Sequence, residues 1–134
     1  MIASRWWRGS MLDWLFGDKT EREARRLNED ARVIVEQTHQ IFSEKGCNQI
    51  AERISGYLTE ARTRYGMEIV DLKRAHHDYR RLHREARRRG DQRELSALTL
   101  VIIHLRAGIA GTAARPAQQA IEDFLGAHGQ IPNT

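Results

Sequence analysis

Apolar residues recur at alternating steps of three and four along nearly the whole chain, the spacing of helices buried along one side. From residue 19 to 45 the stripe is Ala24, Leu27, Ala31, Ile34, Thr38 and Ile41. Gly46 is expected to end this helix and Asn48 to cap the next. A second stripe, Ile50, Ile54, Tyr57, Ala61 and Tyr65, runs on through Ile69, Leu72, His76, Tyr79 and then Leu82 or His83. Its phase barely slips across Gly66. The favoured reading is one long bent helix over about 49–89, roughly 60 Å at 1.5 Å per residue. Two stacked helices broken at Gly66 are the alternative, since glycine inside a helix costs about 1 kcal/mol.

Gly90 closes that element, and Asp91 with Glu94 has the spacing of a capping box for another helix. Leu95, Leu98, Ile102, Leu105 and Ile109 make its seam, and Ala97, Leu100, Val101 and Ile103 leave little of its surface polar. A helix apolar nearly all round is a buried one, so 92–110 is expected at the centre of the fold. Gly108, Ala110 and Gly111 either leave room for a neighbouring backbone to come close or simply fray the helix end. Residues 112–115 read as a connection, and Pro116 suits the first turn of a last helix. That helix buries Ala117, Ala120, Ile121, Phe124 and Leu125 and stops at Gly126. The pattern as a whole specifies an all-α antiparallel bundle of four to five helices over 18–129, preceded by a distinct segment, 1–17, and followed by a loose tail, 130–134.

Composition changes this picture little. A chain of 134 residues, 40% hydrophobic and 30% charged, is one domain with apolar surface enough for one core, which excludes disorder of the whole chain. Cys47 is the only cysteine, so neither an intrachain disulfide nor a multi-cysteine zinc site can form, and a reducing, cytoplasmic compartment is expected. The most apolar run, 97–103, falls far short of the ~20 residues that span a bilayer. The stretch 11–16 contains Asp13 and is not followed by a small-residue cleavage site, so neither a secreted nor a membrane-spanning protein is expected.

Charge changes it more. The chain carries a formal +4 with a pI near 9.7, and the surplus is concentrated. Between residues 73 and 93 stand nine basic residues (Lys73, Arg74, Arg80, Arg81, Arg84, Arg87, Arg88, Arg89, Arg93) and three acids (Asp78, Glu85, Asp91). On a helix, Leu72, Ala75, His76, Tyr79, Leu82, His83 and Ala86 share one face, while Lys73, Arg74, His77, Arg80, Arg81, Arg84, Arg87 and Arg88 share another. A cationic ridge of this kind suits contacts to the phosphates of a nucleic acid without base readout, because the guanidinium fork matches phosphate geometry. An equally simple reading is a solvated outer face paired with acids of the 21–36 helix. No helix-turn-helix spacing, zinc finger or RNA-binding sheet signature accompanies it.

All three tryptophans lie within the first fourteen residues. Trp6, Trp7, Met11, Trp14, Leu15 and Phe16 form an aromatic, amphipathic segment flanked by Arg5, Arg8 and Lys19. Such a segment can pack on its own bundle, dock in the groove of a partner protein, or lie on a membrane surface, the last being the least favoured. Met11 is also an alternative starting residue.

Catalytic chemistry has no foothold in the spacing. Glu36 and His39 have the separation of a di-iron ligand pair, but a second Glu-x-x-His is missing. His76 and His83 stand about 10 Å apart along a helix, too far to share an ion. His104, in the most apolar segment, reads as a half-buried histidine with one hydrogen-bond partner. Cys47, near a helix start, could have a lowered thiol pKa, yet lacks a base beside it. The expectation is a non-enzymatic accessory or binding subunit, without cofactor, metal or catalytic residues, that works in a complex with protein partners and contacts an anion, with nucleic-acid backbone as the first candidate. The alternative is a protein-binding adaptor or inhibitor docking through the tryptophan segment.

Overall fold

The computed structural model describes residues 19–130, and within them the chain forms five α-helices and one 3₁₀ turn. These are α1 (Lys19–Ile41), α2 (Glu44–Arg64), α3 (Ile69–Arg89), α4 (Gln92–Ala110), the turn Thr112–Ala114 and α5 (Arg115–Ala127). The predicted tryptophan segment and the end of the predicted tail, 131–134, lie outside the described residues. The all-α bundle expected from the pattern is what forms, and α4 takes the predicted central place, touching each of the other four helices. Its Ala97, Leu98, Leu100, Val101, Ile103, Leu105 and Ala107 are all buried. Gly108 lets α3 close on α4, since a Cβ there would come within 3.0 Å of the Leu72 side chain.

The long helix expected over 49–89 is instead two helices. The chain breaks at residues 65–68, where Gly66 adopts φ +117°, a conformation that side chains rarely tolerate. No Ser, Thr or Asn marks the restart, so the cap escapes a sequence scan. Glu68 and Asp71 supply it between them: each side chain accepts a backbone N–H at the other's end of the first turn, the reciprocal arrangement of a capping box. Breaking the rod lets both halves lie on α4, and Tyr79 then reaches back to donate to the Tyr57 carbonyl at 3.1 Å.

The α1–α2 corner also differs from expectation. Ser43, not Asn48, caps α2, its hydroxyl accepting from the Gly46 N–H at 3.2 Å. Gly46 therefore lies inside the first turn of α2, buried against Phe42, instead of ending α1. Ile41 falls at the last turn of α1 and is 72% exposed, while Phe42 packs on the core in its place. Ile69, read as a core position, is likewise exposed, standing at the first residue of the new helix.

At the start of α4, Asp91 caps as expected by accepting from the Glu94 N–H at 3.1 Å. The Glu94 carboxylate does not complete the box. It accepts from Tyr57 Oη and from Arg53 Nη1, fastening α2 to α4. Ala114 has no group to cap α5, and Asn28 of α1 does it from across the bundle. Its Oδ1 accepts from the Ala117 N–H at 2.9 Å while its Nδ2 donates to the Ala113 carbonyl at 3.0 Å.

Candidate nucleic-acid interface

Helix α3 is amphipathic in the sense the sequence implies. Ala75, Tyr79 and Ala86 are buried, and Leu72, His76, Leu82 and His83 are half-buried along the same side. Lys73, Arg74, His77, Arg80, Arg81, Arg84, Arg87 and Arg88 are all exposed. Arg93 belongs to the next helix, where its guanidinium donates to Gln49 Oε1 at 2.7 Å, so it stands apart from the ridge.

The electrostatics turn on how far the chain neutralises these cations itself. Among the described residues, Arg81 alone of the eight stands in an ion pair, with Glu85 at 3.7 Å, and both partners are solvated. Such exposed i, i+4 pairs contribute only about 0.3–0.5 kcal/mol and yield readily to a competing anion. The other acids of α3 are occupied elsewhere. Asp71 caps the helix, and Asp78 accepts from Tyr65 Oη, a bond that is the main cause of its lowered pKa. Arg74 lies over the Tyr65 ring at 5.8 Å. Of the α1 acids expected as candidate partners, Glu29 and Glu36 pair with Arg32 and Glu23 with Arg106.

Lys73, Arg80, Arg84 and Arg87 fall at spacings of seven, four and three residues, one stripe about 21 Å long at 1.5 Å per residue. Arg80, Arg84 and Arg87 edge a groove of about 960 Å³ that has α4 as its floor and α1 as its opposite wall. His76, His83, Thr99, Ile102 and Arg106 also line it, and Glu23 and Asp30 face the arginines from α1. Burial first, and neighbouring arginines second, push the pKa values of His76 and His83 down. Both imidazoles are therefore neutral near pH 7, and the positive charge belongs to the arginines and Lys73. The Nε2 of His76 is buried without a hydrogen-bond partner among the described residues.

Tyr79, which stands among arginines in the sequence, points into the core. Burial pushes its phenol up to about 12, and its ring packs edge-on against Tyr57 at 5.4 Å, so it offers no platform for base stacking. His104 is a half-buried histidine facing Glu122 at 3.7 Å. Burial raises the Cys47 thiol instead of lowering it, which removes the activated-thiol reading. No helix among the described residues is long and apolar enough to cross a membrane.

A second cluster lies away from the ridge. His39, Cys47 and His128 come together where the ends of α1 and α5 meet the start of α2. They stand eight and eighty-one residues apart in the chain, and no local spacing signals them. Comparisons with protein-family models, with curated proteins and with solved structures found no match.

Proposed function

We propose that the protein is a non-enzymatic binding module that lays the α3 ridge along the phosphate backbone of a nucleic acid, as an accessory part of a larger assembly. The observation that carries this reading is the lack of internal neutralisation. Six of the seven ridge cations, Lys73 and all the arginines but Arg81, form no ion pair among the described residues, although the chain holds 18 acidic residues. A merely solvated face selected for solubility has no need to gather one sign of charge on one helix. Arginine, which outnumbers lysine on this ridge by six to one, is the residue suited to forked phosphate contacts. Tyr79 is buried, and the contacts on offer are to backbone and not to bases, so binding is expected to be indifferent to sequence.

The direct test is fluorescence anisotropy of labelled RNA and DNA at increasing salt. Binding at low salt that weakens steeply as salt rises supports the reading. The triple variant R80E/R84E/R87E should lose binding while keeping its helical circular dichroism, because all three side chains are exposed. Absence of binding at low salt, or an affinity indifferent to salt, overturns it.

A further inference from the structure

We propose that His39, Cys47 and His128 form a binding site for a divalent transition-metal ion of the zinc class, which clips the end of α5 to the α1–α2 corner. The ligand atoms of the three side chains all lie within 4.8 Å of one another. The two Nε2 atoms are 2.9 Å apart. Two imidazole nitrogens on one tetrahedral zinc stand about 3.3 Å apart, and a nitrogen and a thiolate sulfur about 3.6 Å, given bonds of ~2.05 and ~2.3 Å. Adjustments of this size fall within the freedom of the His39 ring, which is exposed.

The surroundings are those of a ligand set. His128 Nδ1 lies 2.7 Å from Asn48 Oδ1. An amide oxygen only accepts, so the ring proton sits on Nδ1 and the Nε2 lone pair is turned toward His39. Fixing the tautomer through the far nitrogen is the usual way a protein prepares a metal-binding imidazole. Phe124 packs beside both rings, with centroids 5.1 Å from His39 and 4.6 Å from His128. Cys47 Sγ is weakly held, 3.6 Å from the Thr38 carbonyl and 3.8 Å from that of Phe42, so binding sacrifices little hydrogen bonding.

The donor set selects the ion. Two imidazoles and one thiolate suit zinc and its cobalt surrogate, and disfavour magnesium and calcium, which demand oxygen ligands. Three protein ligands leave a fourth position for water. On binding, the Cys47 thiol gives its proton to solvent, the His39 proton moves from Nε2 to Nδ1, and the hexaaqua ion sheds five waters, keeping one in the fourth position. The three ligands come from three separate parts of the chain, so the ion favours the folded over the unfolded state.

The site is independent of the arginine ridge, and its test can fail without touching that reading. Tag-free full-length protein, stripped with chelator, is titrated with Co²⁺ and then Zn²⁺. The expected result is one cobalt per chain, with a sulfur-to-cobalt charge-transfer band and the strong visible bands of a tetrahedral ion, displaced by zinc. Zinc should raise the Tm of the wild type. H39A alters an exposed residue and should fold normally, yet lose both the bands and the zinc-induced rise. C47S should lose the charge-transfer band. Cobalt binding without that band, an unchanged Tm in zinc, or an H39A variant that responds like the wild type overturns the proposal.

Discussion

Single side chains settle several features of this bundle that its apolar pattern leaves open. His76, His83 and His104 occupy half-buried positions, and in each case burial is the first cause of a pKa below the ordinary 6.5. For His76 and His83 the nearby arginines add to the effect, whereas Glu122 partly opposes it at His104. A histidine whose folded pKa is depressed leaves the unfolded chain as the better proton acceptor. Its contribution to stability is complete above pH 6.5 and is lost as pH falls through the lower, folded values. Thermal melts should therefore show Tm declining between pH 7 and 5, before most carboxylates titrate. H83Q, which keeps a polar group for Thr99, should flatten part of that decline, and a Tm constant over this range would contradict the linkage. Asn28 acts on the same scale. It caps α5 from another helix, and losing it leaves the Ala117 N–H without its acceptor. N28A is expected to destabilise the fold by about 1–2 kcal/mol, readable as a lower urea midpoint with an unchanged slope.

The helices themselves were legible where one residue pattern sufficed. The span of α4 follows from its nearly continuous apolar surface between Asp91 and Gly111, and the amphipathic division of α3 from the angular separation of its arginines and its core stripe. What escaped was decided by contacts between residues the pattern treats as unrelated. The break between α2 and α3 depends on a cap shared by Glu68 and Asp71, two residues that carry no start signal in the usual sense, and an unslipped apolar phase across Gly66 suggested continuity. The α1–α2 corner depends on Ser43 capping ahead of a glycine that resembled a terminator. G66A tests the first of these. An added Cβ would collide with Asp71 Oδ2 on a backbone with φ +117°, disturbing both the turn and the cap. The expected loss is about 1–3 kcal/mol, with hydrogen exchange accelerating first in the opening turn of α3. Protection there equal to the wild type would mean the turn tolerates a side chain. The metal-ligand cluster was the least legible feature of all, because His39, Cys47 and His128 become neighbours only once three helix ends have met.

For the whole molecule the question is whether the charge on α3 acts as a unit. Five or so phosphates neutralised by Lys73, Arg80, Arg81, Arg84 and Arg87 would make log K fall with log salt at a slope of about −4 to −5 on duplex DNA, a loss of roughly 250- to 1000-fold between 50 and 200 mM. Replacing Arg84 alone with alanine should lower the magnitude of that slope by about 1 and weaken binding by a similar factor on unrelated sequences, since a phosphate contact carries no sequence information. Replacing Arg25 and Arg26, exposed cations of α1 outside the ridge, should change the slope little if the ridge is the contact surface. A general attraction of a +4 protein to a polyanion predicts a different pattern, in which R25A/R26A costs about twice what R84A does because it removes two charges instead of one. The ratio of those two slope changes thus separates a defined interface on α3 from diffuse electrostatics, and equal cost per charge removed, wherever it lies, would leave α3 with no special role.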